Sequence, residues 1–207
     1  IAAVVALSLS FGVYEYHVRL AKKSYVQRAE NAREFAHELN AGVGKGFPLI
    51  HVDSPYALQF FLETMRPNVD ASHAERALKS DYPAFVVVSN REVLDSSFDG
   101  ISLHEVARWP KDGKADFVVV SNQPDLETSG RIAFAVPGLL IELDNARLER
   151  WTPKALEVEL VEEGGTVTLT NTFDREQSFN LRARDGAEVM TEEITLVPQQ
   201  VYLWTQN

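Results

Sequence analysis

Ile1 to Tyr14 reads IAAVVALSLSFGVY, an uncharged run whose only small polar side chains are Ser8 and Ser10. A helix of that length rises about 21 Å, short of the roughly 30 Å of a bilayer's hydrocarbon core, which takes about 20 residues to cross. The run is therefore read as the later part of a transmembrane helix whose beginning is not in the sequence. Tyr14 and Tyr16 stand where an aromatic belt would lie, and Arg19, Lys22 and Lys23 follow. A buried core helix and the apolar centre of a signal peptide remain open as alternatives.

No Gly or Pro interrupts Glu15 to Leu39, so one helix is expected to run on from the apolar segment. Val18, Ala21, Tyr25, Ala29, Ala32, Phe35, Ala36 and Leu39 recur at steps of three and four, which draws a single apolar stripe. Asn40-Ala41-Gly42 supplies the stop.

Beyond the helix, FPLIHVD (Phe47 to Asp53) and PAFVVVS (Pro83 to Ser89) read as buried strands. Between them, Ser54-Pro55 is expected to open a helix that packs Tyr56, Ala57, Phe60, Phe61 and Met65 on a sheet. A second helix is expected from Ser72 to Lys79, with Ser72 and Glu75 forming a capping box. Ile101 to Trp109 and Ala115 to Ser121 predict a hairpin around Pro110-Lys111-Asp112-Gly113. The order implies a small Rossmann-like α/β domain with an antiparallel edge. Gly42-Val43-Gly44-Lys45-Gly46 precedes a strand, whereas a phosphate cradle follows a strand and opens a helix, so it reads as a linker.

After Pro124 the helical signal ends. Strands are expected at Arg131 to Val136, Leu139 to Leu143, Ala146 to Trp151, Leu156 to Val161, Thr166 to Asn171, Ser178 to Ala183, Glu193 to Val197 and Val201 to Trp204. Turns are expected at Glu163-Gly164-Gly165, Phe173-Asp174-Arg175 and Arg184-Asp185-Gly186, a β-sandwich pattern. The expected fold class is α+β, in three parts: an anchoring and linking helix over 1–40, a small α/β domain over 41–124 and an all-β sandwich over 125–207.

Charge and composition narrow the function. With 30 acidic against 20 basic residues, a net charge of −10, the chain lacks the basic face that nucleic acid requires. No Cys is present, which excludes disulfides, thiol nucleophiles and thiolate metal sites. His17, His37, His51, His73 and His104 are scattered without metal-ligand spacing. Asp53 and Asp81 fall near strand ends, where α/β sites gather. No complete catalytic constellation is read, and no cofactor or metal is expected. Trp109, Trp151, Tyr202 and Trp204 are the aromatics that could stack on sugar rings. Trp151, with Asp144 and Asn145, is the candidate carbohydrate site, while core filling is the alternative for all four.

The stretch from Arg28 to Arg91, with AENAREFAHELNA, FPLIHVDSPYALQFFLETMRP and DYPAFVVVSNRE in succession, resembles the C-terminal soluble region of polytopic GT-C membrane glycosyltransferases of the dolichyl-phosphate-mannose and aminoarabinose transferase type. The resemblance implies an accessory, extracytoplasmic region of an inner-membrane enzyme that uses a lipid-linked sugar donor. The family's catalytic carboxylate lies in an early loop that has no counterpart here, so no catalytic residue carries over. The partners implied are membrane lipid through residues 1–14 and a glycan or lipid-linked sugar. The alternatives are a single-pass envelope binding or scaffold protein and a carbohydrate-binding module of a glycoside hydrolase.

Overall fold

A computed structural model describes residues 2–44, 47–63, 66–89, 98, 100–152 and 157–205. Helix α1 (Ala2–Val43) is continuous from the apolar run into the body of the protein. It passes through Gly42 and stops at Gly44, which takes the left-handed conformation (φ +84) and donates its N–H to the Asn40 carbonyl at 3.0 Å. Ala32, Phe35, Ala36 and Leu39 are buried as the stripe predicts, but Tyr25, on the same stripe, is 77% exposed. Among the described residues no helix is long and apolar enough to cross a membrane. The apolar run ends at Tyr14, and Glu15 and Arg19 enter any longer window.

The α/β part consists of β1 (Ile50–Val52), α2 (Tyr56–Phe61), α3 (Ala71–Leu78), β2 (Phe85–Val88), β3 (His104–Trp109) and β4 (Phe117–Ser121), with strand order β1-β2-β4-β3. Only β1 and β2 are parallel; β2–β4 and β4–β3 are antiparallel. The Rossmann-like expectation thus reduces to one crossover that carries both short helices between β1 and β2. The register puts His51, Phe85, Val87, Phe117 and Val119 on one face, and the Phe35 ring of α1 stacks on Phe117 there at 5.6 Å. Asn31 of α1 donates to Asp116, and Lys111 pairs with Glu38, which pins the helix to the sheet.

Both predicted caps move. Pro55, not Ser54, is the N-cap of α2, and Asp70, not Ser72, that of α3; neither helix has a side-chain cap bond. Asn68 binds the Ser54 backbone on both sides instead, accepting its N–H at 2.9 Å and donating to its carbonyl at 3.0 Å. Glu75 pairs with Lys79 one turn on. Helix α2 also turns differently from the sequence expectation: Leu58 and Gln59 are buried, whereas Tyr56 and Phe60 are 73% and 68% exposed. Met65 lies outside the described residues.

The β-rich part holds β5 (Arg131–Val136), β6 (Leu139–Thr152), β7 (Glu157–Asn171), β8 (Gln177–Asp185), β9 (Glu188–Leu196) and β10 (Val201–Thr205). Two pairs of predicted strands fuse. Residues 139–152 form one strand with a bulge at Asp144/Ala146, and Gly164-Gly165, expected to be a turn, lies inside β7. Glu157 of β7 pairs with Asn180, nine residues beyond Asn171. Straight, β7 would hold Glu157 and Asn171 roughly 46 Å apart, and nine residues return only about 30 Å. The strand therefore bends. Gly165 marks the corner: a Cβ there would stand 2.5 Å from the Asp144 carbonyl oxygen and 2.8 Å from the Ala146 nitrogen. Bending the long hairpin sorts the strands into two layers. The first is β5, the early half of β6, the late half of β7 and β10; the second is the late half of β6, the early half of β7, β8 and β9. Such corners are how strands pass between packed sheets.

Asn171 holds the two layers together at their far end. Its side chain donates to the Leu196 and Arg175 carbonyls at 2.9 Å each, and its backbone pairs with Gln199 and Gln200. The sandwich and the α/β part share one apolar cluster, running from Ala32 to Trp204. Across their contact, His73 of α3 meets the Phe173 ring edge-on at 5.8 Å, and Arg76 donates to the Thr172 carbonyl at 2.9 Å. Gly138, at φ +79, lies under Phe173, where a Cβ would meet the ring at 2.3 Å.

Candidate functional site

Asp144 and Asn145 sit side by side on the corner just described. Asp144 is half-buried and pairs with Thr166 and Arg131. Asn145 is exposed in the left-handed region (φ 57), and its N–H donates to the Gly130 carbonyl at 2.6 Å. A cleft of about 400 Å³ opens beside them, lined mainly by apolar side chains, with Arg147 as its cation. Trp151 pairs with Val158 farther along β6, about 16 Å of strand beyond Ala146; its side chain lies outside the described residues. Sequence neighbours are therefore separated by the strand itself, and the described geometry joins Asp144 to Asn145 alone. Of the other aromatics, Trp204 is 6% exposed, Trp109 is half-buried, and the half-buried Tyr202 donates its hydroxyl to Glu192 at 2.9 Å.

His51 is 1% exposed on β1, and neither ring nitrogen has a hydrogen-bond partner among the described residues. Burial, aided by the Arg66 charge, drives its pKa down to about 3, so the ring is neutral near neutral pH. Arg66 is itself buried, which lowers its pKa to about 10. Its guanidinium donates to the Phe47 carbonyl at 3.0 Å and lies 4.8 Å over the Phe134 ring. These two groups belong to the core. Among the described residues no cluster of His, Asp and Glu is arranged to hold a metal ion.

The polar groups with open access gather at the other end of β1. A second cleft, of about 500 Å³, lies where the parallel strands β1 and β2 end, between α1 and the turn into α2. Ligands of open α/β sheets bind outside the carboxyl ends of strands. One wall is α1, with Tyr25 and Arg28; the other is the turn, with Asp53, Ser54 and Tyr56; Ser89, just past β2, closes the end. Asp53 is held in the left-handed region (φ 50), and its carbonyl accepts the Ser89 hydroxyl. Neither Arg28 nor the Asp53 carboxylate has an ion pair among the described residues. Ser54, 3% exposed, has a hydroxyl without a partner among them.

Of this group, Asp53 was legible as a strand-end acid. Asp81, the other strand-end acid, is exposed and lies away from the cleft, near Glu142, whose pKa burial and Asp81 together raise. Tyr25, Arg28 and Tyr56 were missed, because both tyrosines fall on apolar stripes. The available signal was the spacing: Tyr25 with Arg28, and Asp53 with Tyr56, each three residues apart. No family model, curated protein or solved structure matches the chain.

Proposed function

We propose that this chain is the membrane-anchored, extracytoplasmic part of a glycosyltransferase that draws on a lipid-linked sugar donor, and that it does no chemistry on its own. The observation that carries the anchor is the uncovered start of α1. Val5, Leu7, Leu9, Phe11 and Val13 are all more than half exposed. They fall on two opposite faces of the helix, with only Ala6, Ser8, Ser10 and Gly12 between them and no charge on any side, and a helix start without a charged face needs lipid or protein around it. The glycosyltransferase part rests on the resemblance over Arg28 to Arg91. On this reading the apolar start of α1 lies in the inner membrane. The body then stands outside it, beside the donor site of the parent enzyme.

Vesicle flotation tests the anchor. The intact chain is expected to float with phospholipid vesicles, and a chain with Leu7, Leu9 and Phe11 all changed to Asn to stay behind at unchanged melting temperature. Equal flotation of both would refute the anchor. Because the chain has no Cys, a Glu188→Cys variant carries a single thiol, and an impermeant maleimide added to whole cells should label it. Protection of that thiol until lysis would place the body in the cytoplasm. Turnover of a lipid-linked sugar by the isolated chain would overturn the non-catalytic role.

A further inference from the structure

We infer that the cleft between α1 and the β1–α2 turn is a binding site for an acidic sugar, a pyranose that carries a carboxylate or phosphate. Each wall offers the same two kinds of group. From α1 come Tyr25 and Arg28; from the turn come Asp53 and Tyr56. The tyrosines are 77% and 73% exposed. Exposed aromatic faces accept the C–H faces of a sugar ring, and a carboxylate accepts neighbouring hydroxyls as a pair. A guanidinium clamps a carboxylate or phosphate through its planar fork. Arg28 and Asp53 line one cleft and form no ion pair with each other or with another described residue, so a ligand that spans them meets both charges.

The turn wall is fixed before anything binds. Asn68 holds the Ser54 backbone from both sides, and Ser89 holds the Asp53 carbonyl. Fixed polar groups lose less freedom on binding. The buried Ser54 hydroxyl, unpartnered among the described residues, adds a donor and acceptor at the base of the same wall. Ala29, Ala32 and Ala57 keep the floor low, and about 500 Å³ falls within the roughly 300–1,000 Å³ of small-molecule sites.

Other ligand classes fit less of this. Inorganic phosphate would leave both rings and Asp53 unused. A lipid tail would meet two charges and the hydroxyls of two tyrosines and two serines. Under the membrane reading, the ligand also comes from the aqueous side. Tyr25 is eleven residues past Tyr14, about 17 Å along the helix and still about 13 Å at a 40° tilt. That exceeds the roughly 5–8 Å of headgroup layer on one side of a bilayer. The inference goes beyond the proposed anchor and does not need it.

Calorimetric titration of the full chain in detergent micelles tests the site, with glucuronate, glucose 1-phosphate, glucose, inorganic phosphate and O-phosphoethanolamine as probes. The two acidic sugars should bind about ten- to a hundredfold more tightly than glucose, the span of a charge-assisted contact. Arg28→Gln should abolish that preference. Tyr56→Ala should weaken both acidic sugars about tenfold, and Asp53→Asn, which tolerates the left-handed backbone, should weaken them also. All three side chains are exposed, so melting temperatures should not change. Inorganic phosphate binding as tightly as glucose 1-phosphate would reduce the cleft to an anion site and overturn the inference. So would tighter binding of O-phosphoethanolamine, or acidic-sugar affinities that the three variants leave unchanged. Flotation of the same samples reads the anchor separately.

Discussion

The two sheets of this protein are insulated in different ways. In the α/β sheet, β2 and β4 bury every residue they contain. In the sandwich, Val167 and Leu169 of β7 are buried while Thr166, Thr168 and Thr170, which alternate with them, are half-exposed. A strand covered on both faces has no position where a polar side chain reaches water, whereas a strand in a two-layer sandwich has one at every second residue. The unbroken FVVV and FVVVS and the alternating TVTLT are the sequence traces of these two situations.

The largest effects are expected where the two sheets are alike, at deep aromatic positions. Phe85→Ala and Trp204→Ala should each destabilise by about 3–5 kcal/mol in denaturant melts, since the two residues are 0% and 6% exposed. A loss below about 1 kcal/mol at Trp204 would mean that the second layer of the sandwich does not close over the first. Next comes the corner that only the sandwich has. Gly165→Ala puts a methyl against the Asp144 and Ala146 backbone and should cost about 1–3 kcal/mol; a neutral result would show that β6 and β7 separate easily there.

A pH titration distinguishes the sheets more finely. His51 is neutral when folded, with its pKa lowered to about 3, and titrates near 6.5 once unfolded. The unfolded chain therefore binds the extra proton between those values. Stability should be complete above about pH 6.5 and fall by about 1.4 kcal/mol per pH unit as pH drops toward 3. His51→Leu should remove that part of the slope. His73, also lowered by burial and by Arg76, contributes in the same direction, and a slope unchanged in His51→Leu would show that His51 is hydrated when folded. The smallest effect is expected at Thr168→Val, within about 0.5 kcal/mol, against about 1–3 kcal/mol for Val118→Thr, which strands a hydroxyl in the covered sheet.

Strand positions were legible because both patterns are local. The α1 stripe was equally plain from Ala32 to Leu39, and at Trp204, 6% exposed, the core-filling alternative is the one the structure takes. The corner was not legible. Gly164-Gly165 carries the composition of a turn, and only the close approach of Asp144 and Ala146 from β6 shows that the glycine makes room for a crossing backbone. Asp144 and Asn145 drew attention as polar residues at the apparent end of a strand, but the strand continues through a bulge. The cleft was hidden for a related reason: periodicity reports which residues share a face, not whether another element covers it. Tyr25 and Tyr56 share faces with buried neighbours and remain open.

Helix α1 also acts as an indexed shaft. Each residue between the apolar turns and Tyr25 advances the body by about 1.5 Å and rotates it by about 100°. With no Gly or Pro between Glu15 and Leu39, there is no joint to absorb an error in that count. The compass heading of the Tyr25–Arg28 cleft about the helix axis is thus written in the number of residues below it. Deleting one would swing the opening through more than a quarter-circle while leaving every contact inside the body intact.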